Sequence, residues 1–568
     1  MKLFRKIQKW FENQENLYYL FLIILIVPNI VLCFTEPMPL VAKVCNVLLP
    51  FSIYHMIMSW SGNCGKTFWI LFPFLFFGAF QIVLLYLFGQ SVIAVDMFLN
   101  LVTTNPGEAL ELLDNLIPAI IIVVLLYIPA LVLAAVAVSE KRRLSETFVR
   151  RERKRARITV IAGILSLVAA YLFDARYELK SDLYPANVCY NIALAFQRTA
   201  QTQHYAETSK DFTFQAKTTR PEKNREVYVM VIGETSRAAN WSIYGYNRNT
   251  NPELTKIKGL TAFSHVLTES NTTHKSVPML MSSVTAHDFN SIYRQKGIIT
   301  AFKEAGYRTA FFSNQRYNHS FIDFFGKEAD ICDFIKEDAG DGSYNPSDDE
   351  LLKLVAAELA ENASKQFIVL HTYGSHFNYR ERYPADHAFF LPDFPVDAEL
   401  KYKDNLINAY DNSIRYTDNF LARLIRMLQE QDIDAAMLYT SDHGEDIFDD
   451  DRHLFLHASP VPSYYQIHVP FLVWMSDNYR KNYPDFLKNA EINRQKNISS
   501  SASFFQTMLE LGGIDTPSRN DSLSVINASY TEKNRVYLND HNEARSLNDI
   551  GMREEDFTML QTKGIVYR

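Results

Sequence analysis

Cysteine is scarce in this chain, and the few positions it takes rule out a disulfide scaffold. Five occur in 568 residues. Cys33, Cys45 and Cys64 lie in or beside apolar runs, Cys189 follows them, and Cys332 stands alone in the polar part. No spacing among them suggests paired bridges or a thiolate metal site, so the soluble part has to hold together by core burial. An excess of basic charge is missing as well. The formal net charge is −7, which gives no electrostatic footing for a nucleic-acid partner. There is no internal repeat and no low-complexity tract, so repeat arrays are excluded.

Long hydrophobic runs, in contrast, fill the first third. Leu17–Phe34, Pro39–Trp60, Thr67–Phe88, Leu116–Val138 and Ile158–Phe173 are almost free of charge. Each is close to the ~20 residues, with a range of about 17–25, that a helix needs to cross the hydrocarbon of a bilayer. Five spans put the two chain ends on opposite sides. Lys and Arg in short loops stay on the cytoplasmic side, and here they lie at Lys2, Arg5, Lys6 and Lys9, at Lys66, and at nine positions between Ser139 and Arg157. The other loops carry only Lys43 at a span mouth. The N-terminus is therefore expected in the cytoplasm and the large C-terminal part outside it. The block Arg150–Arg157 needs no role beyond setting this topology. The first span is not preceded by a small-residue cleavage site and is long for a signal sequence, so it reads as a retained helix.

The expected organisation is a five-span transmembrane domain over residues 1–175, a juxtamembrane helix and linker over 176–223, and a catalytic domain over 224–568. Val188–Gln197 fits a short amphipathic helix on the membrane surface or a plain connector, and Thr199–Lys223 is polar and turn-rich. Beyond it, apolar β-rich runs at Val227–Ile232, Thr309–Phe312, Phe367–Leu370, Ala435–Thr440 and Phe471–Trp474 alternate with helical patterns at Asp348–Glu361 and Asn405–Leu428. That alternation predicts an α/β domain with a mostly parallel sheet.

Ligands of such sheets gather at the carboxyl ends of the strands. Val227–Ile232 runs into Gly233-Glu234, Ala435–Thr440 into Ser441-Asp442-His443-Gly444-Glu445, and Phe367–Leu370 into His371-Thr-Tyr-Gly-Ser-His376. Two carboxylates and imidazoles delivered to one edge make a site for a divalent metal, most naturally Zn²⁺ and less so Mn²⁺. Taken singly, an Asp-His pair after a strand is a common loop cap. The stretch Glu269–Ser283 supplies hydroxyls before a helix-like segment, so Thr272, Thr273 or Ser276 could lie at a positive helix end as a nucleophile, or serve as helix caps.

These residues carry a resemblance. Gly233-Glu-Thr-Ser-Arg237 with the string on to Glu253, Thr273-His-Lys-Ser-Val-Pro278, Gly374-Ser-His376, Ser441–Glu445 and Leu456-His457 resemble, in order, the motifs of the phosphoethanolamine transferases, membrane enzymes of Gram-negative bacteria in the alkaline-phosphatase/sulfatase superfamily. The resemblance implies a multi-pass protein of the bacterial inner membrane with a periplasmic catalytic domain. It implies one or two zinc ions, with Glu234, Thr273, Asp442 and His443 as ligands and Thr273 also as the nucleophile that carries phosphoethanolamine. It assigns His376 and His457 to the transferred phosphate, to help for the leaving group, or to a second zinc. It matches Asn100, Thr104 and Glu108 to a lipid-headgroup site; their i, i+4, i+8 spacing puts them on one helical face, which a plain surface helix would also show. The implied donor is phosphatidylethanolamine and the implied acceptor a lipid A phosphate or another envelope glycolipid. The chain departs from the family pattern in having Ser270-Asn271 where many members have Cys-Gly, in leaving Cys332 without a partner, and around Asn314–Tyr317. Alternatives are a lipoteichoic-acid-synthase-like phosphoglycerol transferase, an envelope phosphodiesterase of the sulfatase fold, or a non-catalytic scaffold; a sulfatase proper would need a Cys/Ser-x-Pro-x-Arg pattern, which Thr273–Pro278 lacks.

Overall fold

The computed structural model describes residues 2–36, 38–88, 92–98, 106–221, 224–337 and 345–567. They form two compact units, one holding the apolar helices up to Gln197 and the other the chain from Arg198 on. Among the helices of the first unit are α1 (Gln14–Thr35), α2 (Leu40–Met58), α3 (Cys64–Ile70), α4 (Phe72–Phe88), α5 (Pro106–Ser139) and α6 (Glu146–Phe173), followed by α7 (Ala186–Gln203). Three begin on side-chain caps that satisfy orphan amides: Asn13 accepts from Glu15 and Asn16, Asn63 accepts from Lys66, and Ser145 accepts from Phe148. Four are long and apolar enough to cross a membrane, and α3 with α4 makes a fifth if the bent pair is one span.

The expected span Thr67–Phe88 lies in this pair and carries a bend of 62° between Ile70 and Phe72. Pro73 explains it: the residue has no amide proton to give, and its ring would clash with the carbonyl of Trp69 in an unbroken helix. On α5 and α6 little of the apolar surface is covered by protein, and Ile121, Leu125, Ile161 and Leu165 are each more than half exposed. Such stripes belong against hydrocarbon rather than water.

The second unit is built on seven strands, β1 (Glu226–Gly233), β2 (Leu260–Phe263), β3 (Arg308–Ser313), β4 (Ile331–Phe334), β5 (Lys365–His371), β6 (Asp434–Ser441) and β7 (Phe471–Met475). Their order is β2-β7-β6-β1-β5-β3-β4. Strands β6, β1, β5, β3 and β4 pair in parallel, and β7 runs antiparallel to both β6 and β2. Every residue of β1, β5 and β6 is buried, as expected of central parallel strands covered on both faces. Each β-rich run of the sequence lies within one of these strands. The edge strands β2 and β4 had no such run, since both are short and half-buried in alternation or throughout. Helices α8 (Thr273–Leu280), α9 (Asp349–Ala360) and α10 (Lys403–Gln429) follow in the same unit.

The expected linker Thr199–Lys223 is a further difference. Helix α7 continues to Gln203, Tyr205, Phe214 and Ala216 join the core of the second unit, and Lys217–Thr218 pairs with Ile514–Asp515. Arg220 lies 3.6 Å from the centre of the Tyr483 ring and donates to the carbonyl of Leu511 at 2.9 Å. Polar composition hid these anchors because a few aromatic residues and one arginine do the packing.

Candidate metal and phosphate site

The central strands β1, β6 and β5 bring their carboxyl ends together. Glu234 follows β1, Asp442 and His443 follow β6, and all three are almost fully buried. Their ligand atoms lie within 4.8 Å of one another. Close approach of the β1 and β5 ends needs a glycine at 374: its φ is +52°, and a Cβ there would lie 2.6 Å from the Glu234 carbonyl oxygen. Thr235, at φ +57°, is itself in the left-handed region, a strain that commonly marks functional turns.

Thr273 opens α8. Its Oγ1 lies 3.2 Å from Glu234 Oε1 and 3.1 Å from His443 Nε2. The other two candidate hydroxyls are engaged elsewhere: Thr272 Oγ1 meets Ser270 Oγ at 3.1 Å, and Ser276 Oγ donates to the Thr272 carbonyl at 2.7 Å. Thr272 stands at the N-cap position of α8 without a side-chain cap bond, so capping is not what selects these hydroxyls.

Hydrogen bonds fix the acidic groups. Asp442 Oδ1 accepts from the amides of Thr235 and His443 at 3.1 and 2.7 Å, and Glu234 Oε1 accepts from Thr235 Oγ1 at 2.7 Å. His443 Nδ1 lies 2.9 Å from the Gly444 carbonyl, which sets the ring proton there and leaves Nε2 with a free lone pair facing the cluster. Asp442 Oδ2 is buried and has no hydrogen bond among the described residues. Burial, reinforced by Asp442, pushes the Glu234 carboxyl up to about 6, and burial also raises Asp442 to about 6. Burial, with His457 beside it, pulls His443 down to about 3. Two carboxylates facing a neutral imidazole and an unpartnered oxygen fit a divalent cation, which would supply the missing positive charge.

A second pole adjoins this one. The His457 ring lies 4.2 Å from that of His443 and 5.9 Å from that of His376, which in turn stacks on Tyr373 at 5.2 Å. His376 Nδ1 lies 2.7 Å from the Phe377 carbonyl. Burial and the neighbouring His457 push His376 well below its usual range. Burial acts to lower His457 too, but Glu445, Glu234 and Asp442 around it outweigh that and hold it above the usual value. Glu445 is wholly buried, its Oε1 is 3.9 Å from His457 Nδ1, and neither of its oxygens has a hydrogen bond among the described residues.

The structure thus brings Glu234, Thr273, Asp442, His443, His376 and His457 to one edge. Asn100 and Thr104 lie outside the described residues; Glu108 is in α5, and its side chain lies outside them too. Sequence reading gave no role to Glu445 or Gln315, whose side-chain amide donates to Glu234 Oε2 at 3.0 Å. Glu445 is in the Ser441–Glu445 string, where its position three residues past Asp442 was the available signal.

The chain resembles known proteins along most of its length. Residues 226–514 match the sulfatase family model, and residues 63–200 match that of phosphoethanolamine transferase EptA/EptB. The Kdo(2)-lipid A phosphoethanolamine 7''-transferase of Escherichia coli (strain K12) is 32% identical over 304 residues, 51% of this chain and 51% of the relative. The chain spans about half the length of the curated relatives it matches. The integral membrane lipooligosaccharide phosphoethanolamine transferase A of Neisseria meningitidis has the same fold over 90% of this chain and 98% of its own, with a TM-score of 0.72 at 20% identity. The periplasmic domain of Escherichia coli EptC, solved in complex with Zn, covers 59% of this chain and 98% of its own, with a TM-score of 0.54 at 24% identity. The chain belongs to the sulfatase family.

Proposed function

We propose that this protein transfers phosphoethanolamine from phosphatidylethanolamine to an envelope acceptor, a lipid A phosphate, through a covalent intermediate on Thr273. The observation that carries the reading is the Thr273 hydroxyl, directed into a buried cluster of Glu234, Asp442 and His443 at the start of a helix. The names of the relatives support the group transferred and the acceptor class.

Glu234, Asp442, His443 and Thr273 would hold a zinc ion, as the zinc complex of the EptC domain supports. Bound there, zinc would lower the pKa of a hydroxyl beside it and offset charge on a phosphate. Thr273 Oγ1 passes its proton to Glu234 Oε1, 3.2 Å away, attacks the phosphorus of the donor and forms a new O–P bond as the bond to the diacylglycerol oxygen breaks. His457, whose charged form the carboxylates around it favour, donates a proton to that oxygen, and His376, with its Nδ1 proton turned to the Phe377 carbonyl, would offer its Nε2 lone pair to a second zinc ion. An acceptor phosphate oxygen then attacks the phosphothreonine, and the Thr273 oxygen leaves and regains its proton. The helix N-terminus at Thr273 favours the developing negative charge.

The apolar helices anchor the chain in the bacterial inner membrane, with the N-terminus cytoplasmic and the unit from Arg198 periplasmic. The basic loops support this orientation. A phosphatase reporter active only outside the cytoplasm should work after Arg568 and be silent within Ser139–Arg157; the reverse pattern would refute it. For the activity, mass spectrometry of envelope lipids from cells with and without the gene should show phosphoethanolamine on lipid A only with it. Unchanged lipid A alongside a modified core sugar would redirect the acceptor, and no modified lipid at all would reject the transfer.

A further inference from the structure

Gln315 reaches the site from a fourth strand end, that of β3, and nothing above gives it a role. We infer that Gln315 is a positioning residue for the metal site: its side-chain amide fixes the Glu234 carboxylate so that Oε1 stays turned toward Thr273 and His443. The inference rests on the zinc reading proposed above.

The geometry sets which end of the amide faces inward. Gln315 Nε2 lies 3.0 Å from Glu234 Oε2, 3.2 Å from the Thr372 carbonyl oxygen and 3.3 Å from His371 Nε2. A carboxylate and a carbonyl only accept, so an amide oxygen in this place would meet acceptors without a proton between them. The NH₂ end therefore faces them. His371 Nε2 then faces donors, which puts the His371 ring proton on Nδ1, 3.2 Å from Ser313 Oγ. Burial holds His371 neutral, as this arrangement needs.

The backbone beneath Gln315 is equally fixed. Its own amide donates to Ser313 Oγ at 3.2 Å, and the Asn314 amide donates to the His371 carbonyl at 2.8 Å. The fully buried Asn314 side chain donates to the Pro346 carbonyl at 3.0 Å and to Asp348 Oδ1 at 2.8 Å. Glu234 is thus held at both oxygens, by Thr235 Oγ1 on Oε1 and by Gln315 on Oε2. One bond on each oxygen restrains rotation of the carboxylate about its terminal torsion more than a single bond would. Outer partners of this kind commonly change metal affinity by about ten- to a hundredfold when removed.

The test uses the full chain in detergent, with zinc affinity measured by competition against a chelator. Gln315→Met keeps the length and removes the donor. Zinc should bind about ten- to a hundredfold more weakly, the melting temperature of the metal-free protein should stay unchanged, and excess zinc should restore turnover. A residue that only filled space or only touched substrate would not be rescued by zinc. Should Gln315→Met lower the metal-free melting temperature, Gln315→Asn, one methylene too short to reach Glu234, carries the same expectation. Zinc affinity within twofold of the parent in a well-folded variant overturns the inference. A parent chain that binds no zinc would overturn the metal reading, and this inference with it.

Discussion

The two poles of the site differ in how the protein has finished them. Around Glu234, Asp442 and His443 nearly every polar atom has a hydrogen bond that sets its direction, and one buried oxygen, Asp442 Oδ2, is left facing inward. Around His457 and Glu445 the reverse holds, with His457 Nδ1 and both Glu445 oxygens buried and without hydrogen bonds among the described residues. A pole whose ligands are locked suits an ion that demands fixed geometry. A pole with unused polar capacity suits a group that arrives, moves and leaves. On the function proposed here, the difference separates holding a cation from handling a phosphate.

Removing a locked ligand should have the largest effect. Asp442→Ala should take the purified protein from near one zinc per chain to background and lower turnover by roughly a hundredfold or more, checked by elemental analysis beside a transfer assay. Full zinc in that variant would break the comparison at its first pole. At the second pole, His457→Ala should leave zinc content intact while kcat falls about 10²- to 10⁴-fold. Zinc lost along with activity would mean that the two poles are one.

Acidity sharpens the contrast next. Burial raises Glu234 and Asp442 to about 6 in the metal-free protein, so both are ionised above that value and bind a proton each below it. Zinc must displace those protons, and its affinity should hold above pH 6 and fall by up to about two decades per pH unit below it. His443, already down at about 3, should add nothing in that window. Affinity that falls from pH 8 downward would point to a histidine instead. Among these changes Glu445→Gln should be the mildest for the fold. Burial raises the Glu445 carboxyl above its usual range, so its charge costs folding free energy at neutral pH, an effect absent below the unfolded value and growing as pH rises through it. The amide should raise metal-free stability at pH 7.5 by about 1 kcal/mol, read by denaturant unfolding, while slowing transfer; destabilisation would show that Glu445 is a structural anchor.

The sequence was most legible where one physical signal acts alone. Hydropathy located the apolar helices, and continuous apolar runs located β1, β5 and β6 because both faces of those strands are buried. Their carboxyl ends carried Glu234, His376, Asp442 and His443 into view. What stayed hidden depends on contacts between distant residues. The bend before Phe72 follows from Pro73 in an otherwise uniform apolar run, and the short edge strands β2 and β4 take their pairing from neighbours. Tyr205 and Phe214 pin a polar stretch that composition reads as a linker. Which of Thr272, Thr273 and Ser276 faces the cluster was open from the residues alone, because their order along the chain does not tell where each side chain turns; the turn before α8 decides it. Gln315 was invisible for the same reason, since its partner lies 81 residues away.

The central claim is the covalent step on Thr273, and one mass measurement reaches it most directly. The full chain, loaded with zinc, is incubated with phosphatidylethanolamine without acceptor, digested with trypsin, and the peptide Gly259–Lys275 is weighed and fragmented. The account predicts the added mass of phosphoethanolamine on Thr273, absent from Thr273→Ala and retained in Thr272→Ala. An unmodified peptide together with transfer at the normal rate by Thr273→Ala would contradict it, and direct attack by the acceptor on the donor would then replace the two-step account.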